Sequence, residues 1–226
     1  MLYLVATPLG NLQDITLRAL ETLKQADLIL CEDTRKTGLL LQHFQIIGKR
    51  LLSYYEHNEQ ERLPQVMAYL KEQALVALVS NAGTPTISDP GYPLVREALQ
   101  HGILVEAVPG PSAPITALVA SGLPPDKFAF LGFLPKKDKA KLDLLASLRL
   151  VPLKMTYVAF DSPERLRDTL QTMQELYGVE VLVSIQRELT KLHEEKITDT
   201  LGAVLASWPS DRHIKGEVTL VFRVSP

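Results

Sequence analysis

The sequence has 226 residues, 46% hydrophobic and 22% charged, with Lys+Arg 24 against Asp+Glu 26 and a net charge of −2. That length makes one large domain or two of about 110 residues, able to bury a core without staples; the single cysteine, Cys31, excludes a disulfide framework. The charge balance excludes binding of nucleic acid through a global basic excess, so an RNA or DNA partner requires a local patch.

No apolar run reaches the roughly 18 residues of a membrane helix, so no membrane partner is expected. Residues 1–6 lack the basic start of a secretion signal. A reducing, cytoplasmic location is the expectation. Residues 2–6 and 27–31 are apolar strand candidates, with Leu17, Leu20 and Leu23 on one helical face between them. A helix is expected over 37–44. Leu63, Val66, Met67 and Leu70 keep helical spacing, with Pro64 expected in the first turn. Residues 75–79 and 103–108 are further strands, separated by a helix carrying Leu94, Val95, Ala98 and Leu99. Such strands, apolar on both faces and alternating with helices, predict a mainly parallel sheet covered on both sides.

Prolines 109, 111, 114, 124 and 125 mark a junction, dividing the chain into domains 1–112 and 113–226. The second half predicts a short helix over 112–121, strands over 127–132, 155–160 and 179–185, and a lysine-rich helix between the first two strands. Another helix is capped by Ser162 and closed by Gly178. The tail 217–224 alternates with period two, as an antiparallel or edge strand does. The expected fold class is α/β, two αβα domains, with a mixed sheet in the second.

Nucleotide-binding glycine motifs, a nucleophile elbow and zinc signatures are absent. Neither Cys31 nor the five histidines (43, 57, 101, 193, 213) have metal-ligand spacing, so no metal is expected. What remains are four loops after strands: 7–11, 32–35, 80–91 and 109–113. They are either ordinary strand-to-helix turns or a ligand site, since ligands bind beyond the carboxyl ends of parallel strands.

As whole strings, Ala6-Thr7-Pro8-Leu9-Gly10-Asn11, Glu32-Asp33-Thr34-Arg35, Ala82-Gly83-Thr84-Pro85, Asp89-Pro90-Gly91-Tyr92 and Pro109-Gly110-Pro111 resemble the tetrapyrrole-methylase superfamily. With Gly132-Phe133-Leu134-Pro135-Lys136, Ser162-Pro163-Glu164-Arg165-Leu166, Arg187-Glu188-Leu189-Thr190-Lys191 and Lys215-Gly216-Glu217, they resemble its branch of small-subunit rRNA ribose 2'-O-methyltransferases. The resemblance implies two αβα domains with S-adenosylmethionine in a cleft between them, a homodimer, and a ribosomal substrate, the ribose of a cytidine in the decoding region of small-subunit rRNA. It implies donor contacts at Leu9, Gly10, Asn81, Ala82, Thr84, Ser112, Ala113, Phe160, Leu189 and Gly216. It implies RNA contacts at Arg35, Lys36, Lys136, Lys137, Arg187, Lys191 and Lys215, and catalytic candidates Asp33, Arg35 and Glu188. The family usually has Asp at Asn81, so a negative charge near the donor is expected to be missing, and it often continues in a helical extension beyond Pro226.

Each role has a plainer counterpart. Asp33 is a proton acceptor or a helix cap; Arg35 is a phosphate-positioning group or a surface ion-pair partner; Arg187 and Glu188 pair internally or face substrate. Lys136, Lys137, Lys139 and Lys141 form an RNA-facing arm or a solvated helix face. Two further functions share these features: a methyltransferase acting on a tetrapyrrole or corrinoid, and a non-catalytic RNA-binding assembly factor.

Overall fold

In a computed structural model of the chain, residues 1–207 and 215–224 are described; His213 lies outside them. The chain divides into two compact units, Met1–Ser112 and Ala113–Pro226.

The first unit has five short strands: β1 (Leu2–Val5), β2 (Leu28–Cys31), β3 (Leu51–Ser53), β4 (Val76–Val79) and β5 (Val105–Val108). All pair in parallel in the order β3-β2-β4-β1-β5. Strand alternation sends Leu28 and Leu30 to one face and Ile29 and Cys31 to the other, so both faces need cover. Helices α1 (Leu17–Gln25) and α2 (Thr34–His43) bring Leu23 and Leu41 to the face of Ile29. Helices α3 (Glu59–Lys71) and α4 (Tyr92–Gln100) bring Val66, Leu70 and Leu94 to the face of Leu30. The connection from β1 to β2 crosses β4 by way of α1, and that from β4 to β5 crosses β1 by way of α4. The chain therefore leaves β1 and β4 towards opposite faces, the arrangement that opens a crevice at the strands' carboxyl ends.

Pro64 lies inside α3, beyond the first turn expected for it. A proline there forfeits the bond to the carbonyl of Gln60; both residues are exposed, on the outer side of the helix. The three-residue β3 was not legible in advance.

The second unit runs α5 (Ala113–Ala120), β6 (Phe128–Phe133), α6 (Asp138–Leu148), β7 (Met155–Asp161), α7 (Pro163–Tyr177), β8 (Leu182–Arg187), β9 (Glu195–Thr200), α8 (Leu201–Ser207) and β10 (Val218–Val224). Its sheet has the order β6-β7-β10-β8-β9, with β6 and β7 parallel and the other pairs antiparallel. Leu145, Leu170, Met173 and Val204 of the last three helices pack on Tyr157, Ile185, Leu220 and Phe222. The opposite face is covered by α5, which packs on β7 and β10 and accepts a 2.8 Å bond from Gln186 Nε2 at the carbonyl of Ala117. Both units are thus α/β with helices on both faces of the sheet.

The tail strand β10 is the middle of the sheet, and of the two readings open to it the edge strand is the wrong one. Its alternation reflects a second face that is polar yet buried: Thr156, Ser184, Gln186 and Thr219 all lie under cover. Strand β8 starts later than expected, because the carbonyls of Val179 and Val181 accept bonds from Gly202 and Leu201 instead. Ser162 starts α7 without a side-chain cap, since its hydroxyl accepts from Arg165 Nε at 2.9 Å.

Candidate active site

Because the first sheet is wholly parallel, its four following loops emerge on one edge. Thr7 and Gly83 exchange backbone bonds of 2.9 Å in both directions, joining the loops after β1 and β4. Thr7 Oγ1 donates to the carbonyl of Ser80 at 3.1 Å, and Thr84 Oγ1 donates to the carbonyl of Pro111 at 2.9 Å, reaching the loop after β5. The loop after β2 joins through Glu32, whose Oε1 accepts from the backbone N–H of Asn81 at 3.0 Å. The contacts are close: a Cβ on Gly83 would lie 3.1 Å from Leu9 Cδ2, and one on Gly110 would lie 3.0 Å from Ala6 Cβ. Leu9 is buried while Gly10 and Asn81 are exposed; Ala82, Thr84, Ser112 and Ala113 are partly buried.

Asp33 caps α2. Its Oδ1 accepts from the backbone N–H groups of Arg35 and Lys36, and Arg35 Nε and Nη2 reach its two oxygens at 3.2 and 3.0 Å. The side-chain bond from Arg35, reinforced by the backbone bonds, lowers the Asp33 carboxyl to about 2. The Arg35 side chain remains 88% exposed, a cation oriented at its base and open to solvent. Lys36 is likewise exposed.

Register gathers the second unit's candidates on one edge. Phe133 pairs with Phe160, Asp161 with Val218, Val218 with Arg187, and Arg187 with Glu195. Lys136, Lys137, Leu189, Lys191, Lys215 and Gly216 follow or precede these strand ends. Glu188 and Thr190 adopt left-handed backbone at φ 53° and 64°, which non-glycine residues rarely hold. Glu188 Oε1 accepts from Lys191 Nζ at 2.8 Å and from the backbone N–H of Glu217 at 2.9 Å. Burial opposes ionisation of Glu188, but those two donors outweigh it and the carboxyl sits below its ordinary range. Gly216 is required here: a Cβ would lie 2.6 Å from Glu188 Cγ, and its φ is 113°.

Arg187 is committed within the unit. It forms a two-bond pair with Glu195 at 3.1 Å and donates to the carbonyls of Lys215 and His193 at 2.7 and 3.2 Å. Lys191 divides its ammonium between Glu188 and Glu217. Lys136, Lys137 and Lys215 are exposed, whereas Lys141 is buried near Asp138. A concavity of about 510 Å³ is lined by Arg187, Glu188, His193, Glu195, Lys215 and Gly216. The sequence reading did not single out Thr7 and Glu32, which tie the first unit's loops together; the signal was their place directly after a strand's last residues.

The model of the Tetrapyrrole (Corrin/Porphyrin) Methylases matches residues 1–205. The chain is 51% identical over 219 residues to "Ribosomal RNA small subunit methyltransferase I" of Mesorhizobium japonicum, covering 97% of this chain and 74% of that protein. The chain belongs to the tetrapyrrole methylase family, in the branch of the ribosomal RNA small subunit methyltransferase I proteins. The Escherichia coli O157:H7 member of that branch is 48% identical over 221 residues, covering 97% of this methylase and 76% of its relative. In fold the methylase is similar to uroporphyrin-III C-methyl transferase from Thermus thermophilus, solved in complex with S-adenyl homocysteine. The TM-score is 0.63 at 21% identity, covering 97% of this chain and 96% of that one.

Proposed function

We propose that this methylase transfers the methyl group of S-adenosylmethionine to the ribose 2'-oxygen of a cytidine in the decoding region of small-subunit rRNA. The observation that carries the reading is the set of four strand-end loops bonded to one another at the crevice between β1 and β4, in a chain about half identical to small-subunit rRNA methyltransferases.

The residues present suit the donor. The tight packing of Gly83 on the Leu9 side chain and of Gly110 on Ala6 keeps this part of the loops to small groups and backbone amides. When bound, S-adenosylmethionine supplies a methyl group on a positively charged sulfur. Glu32 and Asn81 would hold its cationic end, Leu9 and Ala82 its apolar surface, and Thr84 and Ser112 its polar groups.

Transfer requires the attacking oxygen on line with the methyl carbon at about 3–3.5 Å. Arg35, oriented by Asp33 and open to solvent, is the group to fix an RNA phosphate, with Lys36, Lys136, Lys137 and Lys215 adding cationic attraction. The hydroxyl proton leaves as the new bond forms, so a weak base suffices. Between the two candidates, Asp33 has both oxygens engaged. Glu188 keeps Oε2 without a hydrogen-bond partner among the described residues, and we assign the proton to that atom.

The test is incubation of unmethylated small ribosomal subunits with labelled donor, followed by nuclease digestion and mass spectrometry of the nucleosides. The expected product is 2'-O-methylcytidine from one site. A base-methylated nucleoside would overturn the ribose assignment, and incorporation into a tetrapyrrole instead would overturn the RNA substrate.

A further inference from the structure

Strand β6 carries phenylalanines at 128, 130 and 133, and regular alternation would send the last to the opposite face from the first two. The register prevents this. Phe128 pairs with Thr156 and Phe130 with Val158, but Phe133 pairs with Phe160, so one extra residue lies between the second and third pairs. Gly132 at φ 68° supplies the left-handed residue such a bulge uses. As a result Phe128, Phe130, Phe133 and, from the neighbouring strand, Phe160 share one face. The rings meet there: Phe130 and Phe160 are 5.0 Å apart edge to face, and Phe133 and Phe160 are 5.2 Å apart at 57°.

This face is not the hydrophobic core of the unit. Tyr157 and Ala159 on β7 point into that core, so Phe160 points the other way. Phe133 is 63% exposed and Phe128 is 38% exposed, and β6 is the outer strand of its sheet. An outer strand with exposed aromatics invites pairing with another copy unless something covers or interrupts it. Here a bulge interrupts it. Charge points to the occupant: exposed Lys127 precedes Phe128, exposed Lys136 and Lys137 follow the strand, and exposed Lys154 precedes β7, against exposed Asp126, Asp138 and Glu164. Aromatic rings on a partly exposed sheet face at its outer strand, bordered by cations, are a means by which unpaired bases are stacked while their phosphates are neutralised.

We propose that the β6 face, with Phe133 as its outermost ring, is a stacking platform for unpaired bases of the RNA substrate. This rests on the rRNA reading above and extends it: the acceptor is recognised as an unstacked single strand. Base stacking on an aromatic ring does not depend on sequence and does not release counterions, so it is separable from the lysine contribution.

The experiment uses the full chain and one RNA dodecamer of mixed sequence, free and annealed to its complement, with affinities measured across a salt series. Phe133→Leu is expected to weaken binding of the free strand by about five-fold or more, leaving the duplex affinity and the salt slope as in wild type. Phe133→Trp is expected to restore free-strand affinity, an effect that a merely structural loss does not give. Equal free-strand affinity in Phe133→Leu, or equal losses on strand and duplex, overturns the platform. So does a change in the monomer–dimer equilibrium by sedimentation with RNA binding intact, which would assign the face to a second copy. Wild-type protein that binds neither RNA overturns the platform and the rRNA reading together. Wild-type protein that binds the free strand through Phe133 but methylates no subunit RNA overturns only the latter.

Discussion

Glu32 reaches out of β2 to accept the backbone N–H of Asn81 beyond β4, at 3.0 Å. The two strands are hydrogen-bonded neighbours, with Cys31 opposite Val79, so the residues that follow them meet by register alone. The negative charge expected to be missing at Asn81 is therefore present on the adjacent loop. Its Oε2 has no hydrogen-bond partner among the described residues.

The charge carried by Glu32 should distinguish donor from product. Glu32→Gln preserves an acceptor for the Asn81 N–H but removes the anion. Calorimetry should show S-adenosylmethionine binding weakened by about 1 kcal/mol, with the product, which keeps its ammonium but lacks the sulfonium charge, weakened less. Asn81→Asp should restore donor affinity in that background and add little to the wild type, where two carboxylates would oppose each other. A large gain from Asn81→Asp in the wild type would mean that Glu32 does not face the cation.

Arg35 is predicted to act on the acceptor. Arg35→Lys keeps a cation but loses the fork through which Nε and Nη2 hold both oxygens of Asp33. Turnover on small subunits should fall roughly tenfold or more, as mispositioning across a short reactive distance does, while donor affinity stays within error. Wild-type turnover would make the pair an ornament of the helix cap.

The Asp161 carboxylate is fully buried and held by Arg165 Nη2 at 2.8 Å, Thr169 Oγ1 at 2.6 Å and its own neighbour's N–H, that of Ser162, at 2.8 Å. Arg165 also donates to the carbonyls of Leu134 and Pro135, tying β7 to the chain beyond β6. Arg165→Ala should cost about 3–5 kcal/mol in urea unfolding, because it strands a buried anion. Asp161→Asn should cost less. The reverse order would place the strain on the arginine.

Acid should release the Glu188 lock. A carboxyl whose folded value lies below its ordinary 4.5 binds fewer protons folded than unfolded. Its stabilisation is therefore complete above about pH 4.5 and declines as the pH falls through the lowered folded value. Glu188→Gln should flatten the stability profile below about pH 4.5. Gly216→Ala, which forces a Cβ to 2.6 Å from Glu188 Cγ, should reduce turnover.

The parallel sheet and its loops were legible because β2 and β4 are buried on both faces and their apolar runs end at turn residues. The helical face of Leu166, Leu170 and Met173 was legible for the same reason. Strand β9, whose six residues are Glu, Lys, Ile, Thr, Asp and Thr, was not, because an outer strand with one face in water offers little apolar signal. The middle position of β10 was hidden because buried Thr219, Ser184 and Gln186 resemble solvent-facing residues until α5 is seen to cover them. At the site, the motifs marked the loops but not which side chains were already spent: Arg187 is consumed by Glu195 and two carbonyls, a fact only the register exposes. The alignment of Phe133 with Phe130 depends on a single bulge that periodicity cannot register.

We propose methyl transfer to a cytidine ribose in the small subunit. Its most direct test is mass spectrometry of rRNA from unmethylated subunits after incubation with the protein and isotopically labelled S-adenosylmethionine. Labelled 2'-O-methylcytidine is expected at one decoding-region position, abolished on omission of the protein and reduced by Arg35→Lys. Label on a base, on another region of the rRNA, or on no RNA while the donor still binds would contradict it.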